Sequence, residues 1–371
     1  PDFSRALGIP LSHLGYIGGS YTAAASVAGL AGSFFLDRFD RRKALALSML
    51  GLVVGTALGG LAQGLGTLLA ARILAGLFGG PATSLSLSII ADVIPLERRG
   101  KAMGAVMGAF SIASVLGVPA GLELARLGTW RTPFFAVAAL GALLTAMAIT
   151  LLPPLRGHLR DAEPEKASAL SSLGAMLGRP TVRASYALAA SAMMGLFVLV
   201  PHISSYVQRN LGFPRARLGL LYMVGGVVSF AALRLAGRLV DRFGCYRVSV
   251  PSTALTALVI YAGFYRAPPL VPVLGIFALF MCATGFRNVS FNTLLSRVPS
   301  SAERARFMSI LSAVQHAAGA AGSFLSARML TEDAAQRLVG MPALAALSIA
   351  LLCLMPPLVG WIEFRVAPPR P

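Results

Sequence analysis

Eleven stretches of about twenty apolar residues, joined mostly by short loops, constrain this chain more than anything else in it. A helix needs roughly 20 apolar residues to cross a bilayer, and by that criterion spans are expected at 13–36, 44–64, 67–93, 101–124, 133–153, 181–208, 217–240, 248–266, 270–298, 306–330 and 343–364. Charged residues make up 12% of the 371 and apolar ones 56%. A soluble domain carries about 25% charged residues, and a disordered chain has low hydrophobicity and high charge. Both are excluded. The fold class expected is an all-α, multi-pass membrane protein.

The loops decide its orientation. The formal net charge is +18, which in a soluble protein would point to nucleic acid. Here the cations lie between apolar spans, and nucleic acid is not an expected partner. Alternate loops, together with the C-terminal tail, hold 20 of the Lys and Arg residues. The other loops and the N-terminal segment hold 9, and Arg72, Arg234 and Arg287 fall within spans. Positive charge is retained on the cytoplasmic side. This places the most polar segment, 154–180, and the C-terminus in the cytoplasm, with residue 1 on the outer face. The same segment divides the chain into bundles 1–153 and 181–371. The arginine bias, 29 against three lysines, fits a GC-rich bacterial genome and hence an inner-membrane location. Cys245, Cys282 and Cys353 are too dispersed for a disulfide framework or a metal site.

The halves repeat. Leu7-Gly8-Ile9-Pro10 corresponds to Leu211-Gly212-Phe213-Pro214, Asp37-Arg38-Phe39 to Asp241-Arg242-Phe243, and Ile94-Pro95 to Val298-Pro299, all at one offset of 204 residues. A fixed offset over that distance means duplicated halves, as in many secondary transporters. The span 181–208 precedes the second copy, and its counterpart would lie before about residue 5. The repeat therefore predicts a parent with twelve spans whose first is not in this sequence.

These residues resemble the major facilitator superfamily along the whole chain. Its loop signature between the second and third helices is matched by Gly237, Arg238, Leu239, Asp241, Arg242 and Gly244. The first copy keeps Asp37, Arg38, Arg41, Arg42 and Lys43, with Ser33 and Asp40 where glycines are usual. Asp92 through Gly100, including Arg98, resembles the loop after the fourth helix. Arg72 and Gly76 resemble the fourth-helix motif of proton-linked members, and Gly117-Val118-Pro119-Ala120-Gly121 resembles the kinked fifth helix of sugar- and drug-efflux permeases. The resemblance implies that Asp37 and Asp241 meet helix starts in the opposite bundle, near Arg306 and Lys101, and hold the cytoplasmic side closed. Read without it, the same charges simply set topology.

Ionisable residues inside a membrane are costly and point to function. Arg287 lies near the middle of its span. Asn288 and Asn292 are four apart and share a helix face. With Gln315, His316 and Glu123 they form the expected substrate or coupling cavity, although an arginine held by backbone carbonyls or a plainly hydrogen-bonded histidine would read the same. In many exporters the first helix supplies the coupling acid. The function expected is secondary active transport of a small solute by alternating access, as proton-coupled efflux of a drug-like compound or sugar. A facilitator or importer, or a non-transporting scaffold, is the alternative. The chain carries neither a G-x-x-x-x-G-K-[ST] nor an H-E-x-x-H pattern, so no enzyme is expected. Expected partners are the solute, protons and lipid. The proton gradient takes the place of a cofactor, and the protein is read as a monomer.

Overall fold

A computed structural model describes residues 2–35, 39–94, 113–155, 174–265, 272–299 and 304–366. A one-turn helix α1 (Asp2–Ala6) leads into α2 (Leu14–Phe35), α3 (Arg41–Gly60), α4 (Leu65–Val93), α5 (Val118–Leu127) and α6 (Thr132–Leu151). The second half holds α7 (Pro180–Phe197), α8 (Ile203–Arg209), α9 (Leu218–Phe243), α10 (Cys245–Ile260), α11 (Val273–Arg297) and α12 (Arg304–Met329), then α13 (Met341–Cys353) and α14 (Met355–Val366). A two-stranded antiparallel hairpin, β1 (Thr331–Glu332) and β2 (Leu338–Val339), joins α12 to α13. Eight segments among the described residues are long and apolar enough to cross a membrane. The expected span 181–208 is not one continuous helix. Its chain turns through a short 3-10 segment at Val200–His202, where Pro201 lacks the N–H that a continuing helix would use.

The repeat is visible residue by residue. Gly8 and Gly212, 204 apart, both take left-handed φ angles, +62° and +65°. Each is followed by a proline and a 3-10 turn, Leu11–His13 in one half and Arg215–Arg217 in the other. The long helices α2 and α9 then start at Leu14 and Leu218, and α3 and α10 at Arg41 and Cys245, keeping the same offset. Packing follows suit. In the first half α4 packs on α2 and α3, and α3 on α6; in the second α11 packs on α9 and α10, and α10 on α14. The two halves meet where α2 lies along α12 and where α5 lies along α9. The end of the molecule carrying Arg41, Arg242, Arg247 and Arg297 is hereafter the arginine-rich end, and the opposite one the hairpin end.

A helix beginning at a membrane surface leaves its first N–H groups without partners, and each half meets that need with a carboxylate. Asp40 caps α3: its Oδ1 accepts from the backbone N–H of Arg42 at 3.0 Å and from that of Leu155, beyond the end of α6, at 3.2 Å. The N–H of Arg41 donates to the Leu155 carbonyl at 3.2 Å, and the Arg42 guanidinium donates to the Ile149 carbonyl in the last turn of α6. In the second half the acid comes from the other partner. Glu363, on α14, accepts from the N–H groups of Cys245 (2.8 Å) and Tyr246 (2.6 Å) at the start of α10. Gly244, the repeat partner of Asp40, has φ +87°, and a Cβ there would lie 2.9 Å from Glu363 Oε1. The aspartate that departs from the family loop at position 40 is thus a helix cap, doing in the first half what Glu363 does in the second.

Farther along α3, Gly55 lets the backbone of α4 at Ala75 come close, and Gly59 receives the ring of Phe134. Arg131, before α6, donates to the Ala62 carbonyl at 3.3 Å and closes the hairpin-end tip of this helix pair.

Two glycines of one motif predict opposite outcomes. Gly244→Ala places a Cβ in a positive-φ, extended-ψ conformation open essentially to glycine alone, at a cost of about 1–3 kcal/mol, and crowds the capping carboxylate. It should lower the thermal denaturation midpoint of the purified protein. Gly237, inside α9, has nothing within 4 Å of where an added Cβ would stand. It should accept alanine with no loss, because alanine is the better helix former.

Candidate functional site at the seam between the halves

The seam is built from missing side chains. On α2, a Cβ at Gly15 would overlap the carbonyl oxygen of Ser323 on α12, and one at Gly19 would lie 2.7 Å from the ring of Phe324. Small residues at this spacing let two helices approach to backbone contact. On its other flank α2 is held by α4, where Gly76 and Gly80 face the carbonyls of Tyr21 and Ala25. Arg72 of α4 lies over the Tyr21 ring, 4.6 Å from its centroid. The family motif of Arg72 and Gly76 therefore braces the seam helix, and this arginine packs on an aromatic face.

Polar ties reinforce the hairpin end. The backbone N–H of Ser12 donates to Glu332 of β1 at 3.2 Å, and midway along the seam Ser26 Oγ donates to the Ala313 carbonyl at 2.8 Å. Within the second half, fully buried His202 meets Ser326 Oγ at 3.0 Å, which locks the α7–α8 turn to α12. Asn210 holds the hairpin by a two-way pair with the Leu338 backbone, at 2.8 Å and 3.0 Å.

Toward the arginine-rich end α2 becomes more exposed. Val27 and Leu30 of α2 are 65% and 39% exposed, and Ser312, Gln315 and His316 of α12 are half-buried. His316 Nδ1 lies 2.8 Å from the Ser312 carbonyl of its own helix. On α11, Asn288 is half-buried and Asn292 exposed, and Asn292 Nδ2 donates to the Asn288 carbonyl at 2.9 Å. Asn288, Asn292, Gln315 and His316 are thus polar groups left at least partly accessible.

Arg287 does not join them. One residue is about 100° of helix rotation, and that step takes its side chain from the asparagine face into the interior of the second half. It is completely buried, and none of its three guanidinium nitrogens has a hydrogen-bond partner among the described residues. A cation buried in a bundle depends on the groups around it for compensation, which makes this position sensitive to any change in its neighbours. Glu123 is a second departure. It is exposed on α5 and paired with Arg126 one turn on, at 2.5 Å, so its charge is met locally. The second seam contact carries a different device. A π-turn at Ala113–Gly117 runs into α5, with Pro119 in its first turn. A π-turn and a proline are two recognised sources of a helix kink. Gly117 and Gly121 are uncrowded there, so they do not make a close helix contact.

Of the loop motifs, Asp37, Arg38 and Arg98 lie outside the described residues, and Asp92 falls in the last turn of α4. Asp241 is exposed and makes no ion pair among the described residues, and Arg242 stacks beside the Phe243 ring at 5.1 Å. The structural roles of Glu363, Asp40, His202 and Ser26 do not follow from the sequence pattern. Asp40, directly before a helical run, carries the one readable signal, since aspartate is a preferred N-cap.

The family model described as the Major Facilitator Superfamily matches residues 1–323. The chain belongs to this family. It is 29% identical over 231 residues to the purine ribonucleoside efflux pump NepI of Escherichia coli, a match spanning 62% of this chain and 57% of the pump. It is 24% identical over 249 residues to the chloramphenicol resistance protein of Streptomyces lividans, covering 65% of this chain and 61% of that protein. The chain thus spans less than two thirds of the length of these relatives. Among solved structures, a D-xylose-proton symporter superposes with a TM-score of 0.76 at 20% identity, covering 93% of this chain and 87% of its own. The nucleoside transporter NupG gives 0.71 at 12% identity, covering 97% and 93%. Both structures share the fold.

Side chains added at the glycine contacts should wedge the seam. In a background free of native cysteines, Gly15→Val should raise the rate at which a membrane-impermeant thiol reagent labels Ser323→Cys. Gly29→Val, on the open half with nothing within 4 Å, should leave that rate unchanged.

Proposed function

We propose that this chain is the alternating-access body of a secondary transporter that exports a small organic solute, of the drug, nucleoside or sugar type, driven by the proton gradient. The observation that carries the reading is the asymmetry of the seam: backbone contact of α2 with α12 at the hairpin end, and exposed α2 side chains with four accessible polar side chains of α11 and α12 toward the arginine-rich end, taken here as the open side. With positive charge retained in the cytoplasm, the open side faces inward, and a cytoplasmic solute reaches Asn288, Asn292, Gln315 and His316 first. The names of the two relatives, one a purine ribonucleoside efflux pump and one a chloramphenicol resistance protein, support export of small organic molecules. The membrane proposed is the bacterial inner membrane, with 154–180 and the C-terminus in the cytoplasm.

Arg287 has a role in this cycle. It is buried with no acceptor among the described residues, and a conformation that supplies an acceptor is favoured by that contact. Arginine here is a switchable countercharge, coupled to the rocking of the halves.

Proteoliposomes containing the protein as it occurs in its cell decide the matter. Uptake of labelled nucleosides, chloramphenicol and sugars is measured with and without an imposed pH gradient, in both directions. Gradient-dependent flux of at least one solute is the expected result; flux that ignores the gradient makes the protein a facilitator, and no flux of any solute removes the proposal. A hydrogen bond to a charged group is worth about 1.5–3 kcal/mol, so Arg287→Gln should slow turnover by about ten- to a hundredfold. Arg287→Lys should restore part of it, while both variants elute as folded protein.

A further inference from the structure

Away from the seam, a groove of about 420 Å³ runs between α9, α10 and α11. Its walls are Leu239 and Phe243 of α9, Val248, Pro251 and Leu255 of α10, and Ala283 and Phe286 of α11, with the Ser252 hydroxyl turned back to its own helix carbonyls. The rim is lipid-facing: Leu235, Val250 and Leu258, each within about a turn of a lining residue, are 49%, 37% and 62% exposed. Arg247 stands at the mouth on the arginine-rich end. It is exposed and makes no ion pair among the described residues.

Dimensions and charge select the occupant. From Arg247 to Leu255 is eight residues, about 12 Å of helix at 1.5 Å per residue. One leaflet of hydrocarbon is about 15 Å deep, half of the roughly 30 Å core. The groove therefore starts where headgroups lie and ends just short of the bilayer centre, apolar throughout its length. At its mouth the field is positive. Arg238 and Arg242 occupy the last turns of α9 beside Arg247, and of the two nearby acids Glu363 is committed to the α10 cap while Asp241 is the one left exposed. Anionic headgroups are drawn to such basic clusters at a membrane surface.

We infer that this groove holds one acyl chain of an anionic phospholipid, with the phosphate of its headgroup on Arg247. The inference requires that α9, α10 and α11 cross a bilayer and does not depend on transport. A lipid seated here binds three helices of the second half and none of the first, so it moves with that half as a fixed part of it.

The test uses the full chain, purified, stripped of lipid and offered equal amounts of phosphatidylglycerol, phosphatidylethanolamine and phosphatidylcholine, with retained lipid counted by native mass spectrometry. The wild type should prefer phosphatidylglycerol by about fivefold, the worth of one arginine near an anionic surface. Arg247→Gln, an exposed substitution, should abolish the preference. Ala283→Phe, which fills the deep end and leaves the arginine, should reduce retention of every lipid. Arg328→Gln, at the hairpin end, is the control and should change nothing. Equal retention of the three lipids by the wild type overturns the proposal. So does a preference that survives Arg247→Gln, or one lost equally in Arg328→Gln, which would mark general surface charge rather than a site.

Discussion

Hydrocarbon offers no hydrogen bonds, so every backbone polar group within a bilayer must find its partner inside the protein. That rule makes the spans of this chain helical, and it concentrates the structural difficulty where helices end, turn or touch. Asp40 and Glu363 each satisfy first-turn N–H groups of a helix, α3 or α10, while tying it to α6 or α14 respectively. The task is the same in both halves, and the acid has changed sides. In one half it sits on the capped helix, and in the other it reaches in from α14 over a glycine that no other residue could comfortably replace.

Without a hydrophobic drive between helices in lipid, association rests on close packing and on interhelical hydrogen bonds. The α2–α12 contact shows both. Gly15 and Gly19 give backbone proximity, Ser26 gives one hydrogen bond near the middle, and Glu332 gives another at the tip. Beyond Ser26 the glycine pattern stops meeting a partner, since Gly29 has nothing within 4 Å. The backbone-to-backbone part of the seam therefore lies on the hairpin side of Ser26.

Much of this is legible in the sequence. The 204-residue offset locates the turns at Gly8 and Gly212 and the starts of the paired helices, because a duplicated segment keeps its local conformational demands. The four-residue spacing of Asn288 and Asn292 places them on one face. What spacing does not carry is which neighbour that face meets. Arg287, adjacent in sequence, reads as a companion of the asparagines and turns instead into the bundle. Glu123 reads as an intramembrane acid, yet Arg126 one turn later on an exposed surface provides for it locally. Glu363 is invisible for a simpler reason: its partners lie 117 and 118 residues away.

The carboxylate caps lie wholly inside one half or the other, whereas the bonds donated by Ser12 and Ser26 run between the halves. A relative tilt of the halves therefore leaves both caps intact and acts on the seam alone, with the glycine contacts as its pivot.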